Sequence, residues 1–105
     1  MNKGKEVGAN EENDFSSEVK ILAKIYEYNQ VKKEFVWFKK LKSSLSDELK
    51  NREVSKALDS LYKRGLLDER WENIGQGWAR CFFVSWEAES LARSFFENIQ
   101  NKGVE

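Results

Sequence analysis

The chain has no histidine, no proline and a single cysteine, Cys81, in 105 residues. Without an imidazole, no Ser-His-Asp or Cys-His catalytic group can be assembled. One thiol and no histidine exclude a Cys/His zinc site within one chain. One thiol also excludes an intrachain disulfide, which suits a reducing compartment. No stretch approaches the ~20 apolar residues of a membrane-spanning helix, so no membrane partner is expected. The first 14 residues are polar and lack the apolar run of a secretory signal, so a cytoplasmic location is expected. No cofactor and no metal are expected. With no proline, turns fall to Gly, Asn, Ser and Asp.

Neither sign of charge is in excess: 18 Lys and Arg stand against 18 Asp and Glu. Taken as one sum, that balance counts against a nucleic-acid ligand. Hydrophobic residues make up 40% and charged residues 34%, which describes one small globular domain with one core. The segment 1–14 combines Gly, Asn and mixed charge and reads as a disordered tail. The domain is expected over 15–101, with a frayed end at 102–105.

A helix is predicted to start near Ser16, capped by Ser16 or Ser17, with Phe15 as a hydrophobic staple. Val19, Leu22, Ala23 and Tyr26 form one apolar stripe, and Ile21, Ile25 and Tyr28 a second. Asn29 and Gln30 end this helix, and a short extended piece follows around Val31 to Phe35. The next helical pattern is FVWFKKLKSSL, with Trp37, Phe38, Leu41 and Leu45 on its apolar face. SLSDELKN is a break in which Asn51 can cap the next helix. NREVSKALDSLYKRG carries the clearest helical pattern. Val54, Ala57, Leu58 and Leu61 form its stripe, and Gly65 after Lys63 and Arg64 closes it. LLDERWE, NIGQG and WARCFFVSW read as strand, turn and strand. A register that sets Trp71 opposite Trp78, Glu69 opposite Arg80 and Leu67 opposite Phe82 aligns aromatic, ionic and apolar pairs. WEAESLARSFFENIQN forms the last helix, with Ala88, Leu91, Ala92, Phe95 and Ile99 on one face and Phe96 beside it. The fold class is mainly α with a small β-hairpin, in the order α-(β)-α-α-β-β-α.

Three helices followed by a two-stranded ribbon is a winged helix-turn-helix order. The block VSKALDSLYKRGLLDERWENIGQGWARCFFVS resembles the recognition helix and wing of small prokaryotic winged-helix transcription regulators. The likeness rests on Val54, Ser55, Ala57, Leu58, Leu61, Gly65, Leu66 and Leu67. It implies a recognition helix at about 51–64 that enters the major groove and a wing at 66–85. It also implies double-stranded DNA as the partner. The link SLSDELKN is longer than the tight turn usual in such proteins.

Charge resolved by segment supports the same expectation without the likeness. Residues 31–64 hold ten Lys and Arg against five Asp and Glu, and the flanking segments are neutral or acidic. Phosphate binding needs a local cationic patch, not a cationic protein. Asn51, Arg52, Ser55, Lys56 and Lys63 on the third helix are the expected DNA contacts. Arg52 or Lys56 suits guanine and Asn51 suits adenine. Lys39, Lys40 and Lys42 on the second helix suit phosphates, and Gln76 and Arg80 suit the wing. Each has a plainer alternative. The lysines can be a solvated face, Asn51 an N-cap, and Arg80 a partner of Glu69. Trp71 and Trp78 either stack on each other or offer a platform to a nucleobase. Cys81 fits a small buried residue.

The surplus apolar surface of the first and last helices leads to an expected homodimer. Its interface would hold Ile21, Ile25, Tyr28, Leu91, Phe95, Phe96 and Ile99. The alternative is a monomer whose last helix closes over the first. Catalysis is not expected, because Asp68 and Glu69 are strand neighbours on opposite faces and cannot share a site. The rival function is a winged-helix protein–protein interaction module that does not bind DNA.

Overall fold

Ser16 opens the first helix. Its extended backbone lets Oγ accept the Val19 amide at 3.2 Å, and α1 runs Ser17–Tyr26. The computed structural model describes residues 16–104, with side chains to residue 101. The tail expected over 1–14 and the staple expected at Phe15 lie outside the described residues. A π-helical turn, Glu27–Val31, continues α1. Lys33 then takes a left-handed conformation (φ 59°), and the Glu34 amide donates to the Tyr28 carbonyl at 2.7 Å. Glycine is the usual residue at such a reversal, and lysine there costs about 1 kcal/mol.

The extended piece falls later than Val31 to Phe35. Trp37 bridges Cys81 in antiparallel fashion, and the Phe82 amide donates to the Val36 carbonyl at 2.9 Å. This pairing delays α2, which runs Phe38–Ser44 with Trp37 as its extended N-cap. Val36 is fully buried there, while Phe38 is left 36% exposed. The apolar face expected to start at Trp37 is therefore carried by Val36, Leu41 and Leu45. The long link to the next helix is anchored by two buried leucines, Leu45 and Leu49, joined by a backbone bond of 2.8 Å.

The third helix, α3, runs Asn51–Lys63 and buries Val54, Ala57, Leu58 and Leu61. These positions recur at three and four residues, so they form one stripe. Burying each large one contributes about 1.5–3 kcal/mol. Gly65 (φ 76°) ends the helix. The Leu66 amide donates to the Leu61 carbonyl at 2.9 Å and the Gly65 amide to the Tyr62 carbonyl at 3.0 Å. That pair of bonds is a Schellman closure.

Strands β1 (Leu67–Asn73) and β2 (Trp78–Val84) form the wing. Their register differs by two residues from the expected one. Leu67 faces Val84, Glu69 faces Phe82, Trp71 faces Arg80 and Asn73 faces Trp78. The turn decides this. Its first corner needs a positive φ, which Gly75 supplies at 95°, and the Ile74 amide donates to the Gly77 carbonyl at 2.8 Å. The expected register would have put β-branched Ile74 at that corner, where it is strained. Asn73 Oδ1 accepts the Gly75 amide at 2.9 Å and fixes the turn.

A 3-10 turn, Trp86–Ala88, leads into α4, which runs Glu89–Val104, beyond residue 101. α1 packs on α4, on α3 and on β2, and this explains its two apolar stripes. Ile21, Leu22, Ile25, Leu41, Leu61 and Val54, from all three of the first helices, are among the most buried side chains of the core. The order, a helix, a bridging strand residue, two helices, a hairpin and a closing helix, is a winged helix-turn-helix. Among the described residues no helix is long and apolar enough to cross a membrane.

Candidate nucleic-acid interface

The helical period turns Arg52, Ser55, Lys56, Asp59 and Lys63 of α3 away from the core, and all are exposed. Lys63 pairs with Asp59 at 3.1 Å one turn away. Arg52 and Lys56 make no salt bridge among the described residues. Asn51 is exposed as the first residue of α3, and Lys50 is the N-cap. The Lys50 amide donates to Glu53 Oε1 at 2.8 Å, so the cap expected of Asn51 is supplied from the other side of the turn. At the far end, Arg64 pairs with Glu18, and the Ser60 hydroxyl donates to the same carboxylate at 3.0 Å. This network ties α3 to the start of α1.

A groove of about 790 Å³ runs between α3 and the wing, with the start of α2 also in its lining. It brings together three of the expected contact residues from three elements: Lys39, Ser55 and Arg80. Phe38, Tyr62 and Trp71 line it too, as do Asp59 and Glu69. Arg80 pairs with Glu69 at 3.4 Å and remains exposed. Gln76 is exposed in the turn at the wing tip. Lys56 lies on the opposite flank of α3, beside Ser17, Glu18 and Ser60.

The three lysines of α2 diverge. Lys39 is exposed into the groove. Lys42 lies over the Phe38 ring, 5.6 Å from its centroid. Lys40 is turned inward. Its Nζ donates to Glu34 Oε1 and to the Phe35 carbonyl, each at 3.0 Å, and stands over the Tyr28 and Trp37 rings. Lys40 thus staples the chain reversal after α1 and is not presented as a phosphate clamp.

The expected dimer face needs correction. Ile21 and Ile25 are fully buried within the single chain and Tyr28 is 8% exposed. They are core residues, because α1 meets its second partner, α4, in the same chain. Tyr26 packs on Phe96 at 5.6 Å, and Arg93 Nε donates to the Tyr26 hydroxyl at 3.3 Å. Phe95 and Phe96 pack partly against the core, and Ile99 is half-buried. Leu91 remains exposed.

Trp71 and Trp78 are 66% and 67% exposed and make no ring contact with each other. The register shift explains this, since it sets them on a diagonal and not opposite each other. The sequence signal for their exposure is position: they lie at the tip half of the ribbon, while Leu67 and Phe82 at its base enter the core. Cys81 is buried beneath the Trp37 bridge, and desolvation, then Glu72, raises its thiol pKa above the ordinary value. Among the described residues no three His, Cys, Asp or Glu side chains gather to hold a metal.

No protein-family model matches the chain, and no curated protein sequence matches it. Three solved structures are similar to it. SSV1 F-93 superposes with a TM-score of 0.71 at 19% identity, over 88% of this chain and 96% of that one. The circadian clock associated protein Pex from Anabaena gives 0.65 at 22% identity, over 84% and 80%. A PadR family transcription regulator from hypervirulent Clostridium difficile R20291 gives 0.57 at 13% identity, over 85% and 98%. At these identities the likeness is one of fold. The element order, the register of the wing and these superpositions give the chain a winged helix-turn-helix fold.

Proposed function

We propose that the chain is a sequence-specific, double-stranded-DNA-binding transcription regulator. In this reading α3 enters the major groove and the wing lies on the flanking backbone. The observation that carries the reading is the outward face of α3. There Arg52 and Lys56 stand exposed with no salt-bridge partner among the described residues, within a segment holding twice as many cations as anions. Asn51, Arg52, Ser55 and Lys56 serve as base contacts, with Lys39, Lys42 and Lys63 on phosphates and Gln76 and Arg80 from the wing. Similarity in fold to a PadR family transcription regulator supports this reading.

A homodimer belongs to the same proposal, formed through the outer side of α4. Leu91 is 42% exposed there, with half-buried Phe95 one turn on and Trp86 84% exposed at its start. A protein-docking module is the rival, favoured by the two carboxylates, Asp59 and Glu69, inside the groove. Selection of bound duplexes from a random pool, followed by titration of R52A and K56A, separates the two. The regulator reading expects an enriched duplex motif and weakened binding by both variants. An unenriched pool, or full binding by both variants, contradicts it. Light scattering of the free protein tests the dimer, and a monomer mass at working concentration contradicts it.

A further inference from the structure

The two wing tryptophans carry a consequence for how DNA is held. β1 and β2 alternate faces, so Trp71, Asn73, Trp78 and Arg80 share one face of the ribbon. That face looks into the groove beside α3, where Trp71 and Arg80 are wall residues. Both indoles are two-thirds exposed, and neither touches another ring among the described residues. The hairpin does not need them. Its base is fixed by buried Leu67 and Phe82, and its other face by Phe83, which meets Phe35 edge-on at 6.1 Å and lies under Arg70 at 4.1 Å. Two large apolar groups held in water at the end of a ribbon mark a binding surface.

Charge indicates what covers them. Within the groove, Lys39 and Arg80 are balanced by Asp59 and Glu69, so phosphate attraction is weak at that spot. Outside it α3 exposes Arg52, Lys56 and Lys63 against Glu53 and Asp59, a small cationic excess within the cation-rich segment 31–64. An occupant that is anionic overall, and meets this surface with flat or apolar parts, fits both observations.

We propose that Trp71 and Trp78 are direct duplex-DNA contacts, packing their indoles on the deoxyribose and base edges of the minor groove that flanks α3. Minor-groove binders commonly place apolar side chains in that groove, there as wedges between base steps. The proposal rests on the duplex-DNA reading above. It adds a salt-independent component to binding, because ring packing releases no counterions.

The test uses the full chain and a labelled duplex carrying the selected motif, titrated by anisotropy at several salt concentrations. W71A and W78A are expected to lose affinity roughly five- to a hundredfold each with an unchanged salt slope, and W71F and W78F to lose less. K39A and K42A, at the phosphate positions, are expected to flatten the slope instead. A second readout guards against misfolding. In a W37F/W86F background, duplex should protect the two remaining indoles from acrylamide quenching. Wild-type affinity in folded W71A and W78A, or unprotected indoles, overturns the proposal while leaving the duplex reading intact. Failure of the wild-type chain to bind any duplex overturns that reading, and this inference with it.

Discussion

Glu69 and Arg80 form an ion pair at 3.4 Å although the ladder does not set them opposite each other. Glu69 faces Phe82 and Arg80 faces Trp71. The pair is diagonal, on the face of the wing that lines the groove. Arg80 is more exposed than Glu69, at 60% against 25% of the side chain, so the guanidinium is the partner within reach of a ligand.

Glu69→Gln should therefore change folding stability by less than about 1 kcal/mol, as is usual for exposed pairs. It should tighten duplex binding, because a carboxylate leaves the groove and Arg80 is released toward phosphate. Anisotropy titration of the variant checks this, and weaker binding would count against Arg80 as a contact.

Gly65→Ala isolates a backbone effect. A Cβ at Gly65 meets nothing within 4 Å, so the cost is conformational and comes from the φ of 76°. A loss of about 1 kcal/mol is expected in urea unfolding. An unchanged midpoint would contradict the Schellman closure that turns α3 into the wing.

Leu61→Ala probes the attachment of α3. Leu61 is 1% exposed and lies in the core stripe. Truncation should cost about 2–5 kcal/mol by the same unfolding measurement. A cost below about 1 kcal/mol would mean that α3 does not depend on this stripe.

Cys81 gives a pH dependence. Its thiol pKa is raised in the folded chain, chiefly by burial. The stability this contributes is present below the unfolded thiol value and is lost as pH rises through the folded one. Alkylation by iodoacetamide should be slow in the native protein and fast in denaturant. Rapid native alkylation near neutral pH would contradict the burial.

The helix-turn-helix skeleton was legible because its signals are local. Val54, Ala57, Leu58 and Leu61 repeat with the helical period, and Gly65 supplies the positive φ that ends α3. The wing was legible as a hairpin but not in register. Pair chemistry favoured Trp71 opposite Trp78, yet the turn obeys the conformational demand met by Gly75 and refused by Ile74. Parity survived, because a slip of two residues keeps each side chain on its face. Thus Glu69 and Arg80 still meet, while the two tryptophans separate. The second stripe of α1 was ambiguous for a different reason. Periodicity shows that Ile21 and Ile25 are covered, but not whether the cover is another molecule or α4 of the same chain. Lys40 could not be distinguished from Lys39 and Lys42, since its fate depends on the chain reversal at Lys33, which brings Glu34 and Phe35 back against it and which no glycine marks in the sequence.

The most direct test of the central claim is duplex binding by wild type and by the R52A/K56A double variant, measured on the selected motif and on a duplex with that motif scrambled. If α3 meets base edges through Arg52 and Lys56, the variant loses about 1–3 kcal/mol per contact on the motif and much less on the scrambled duplex. Equal affinity of wild type and variant for the motif would contradict the placement of α3 on DNA.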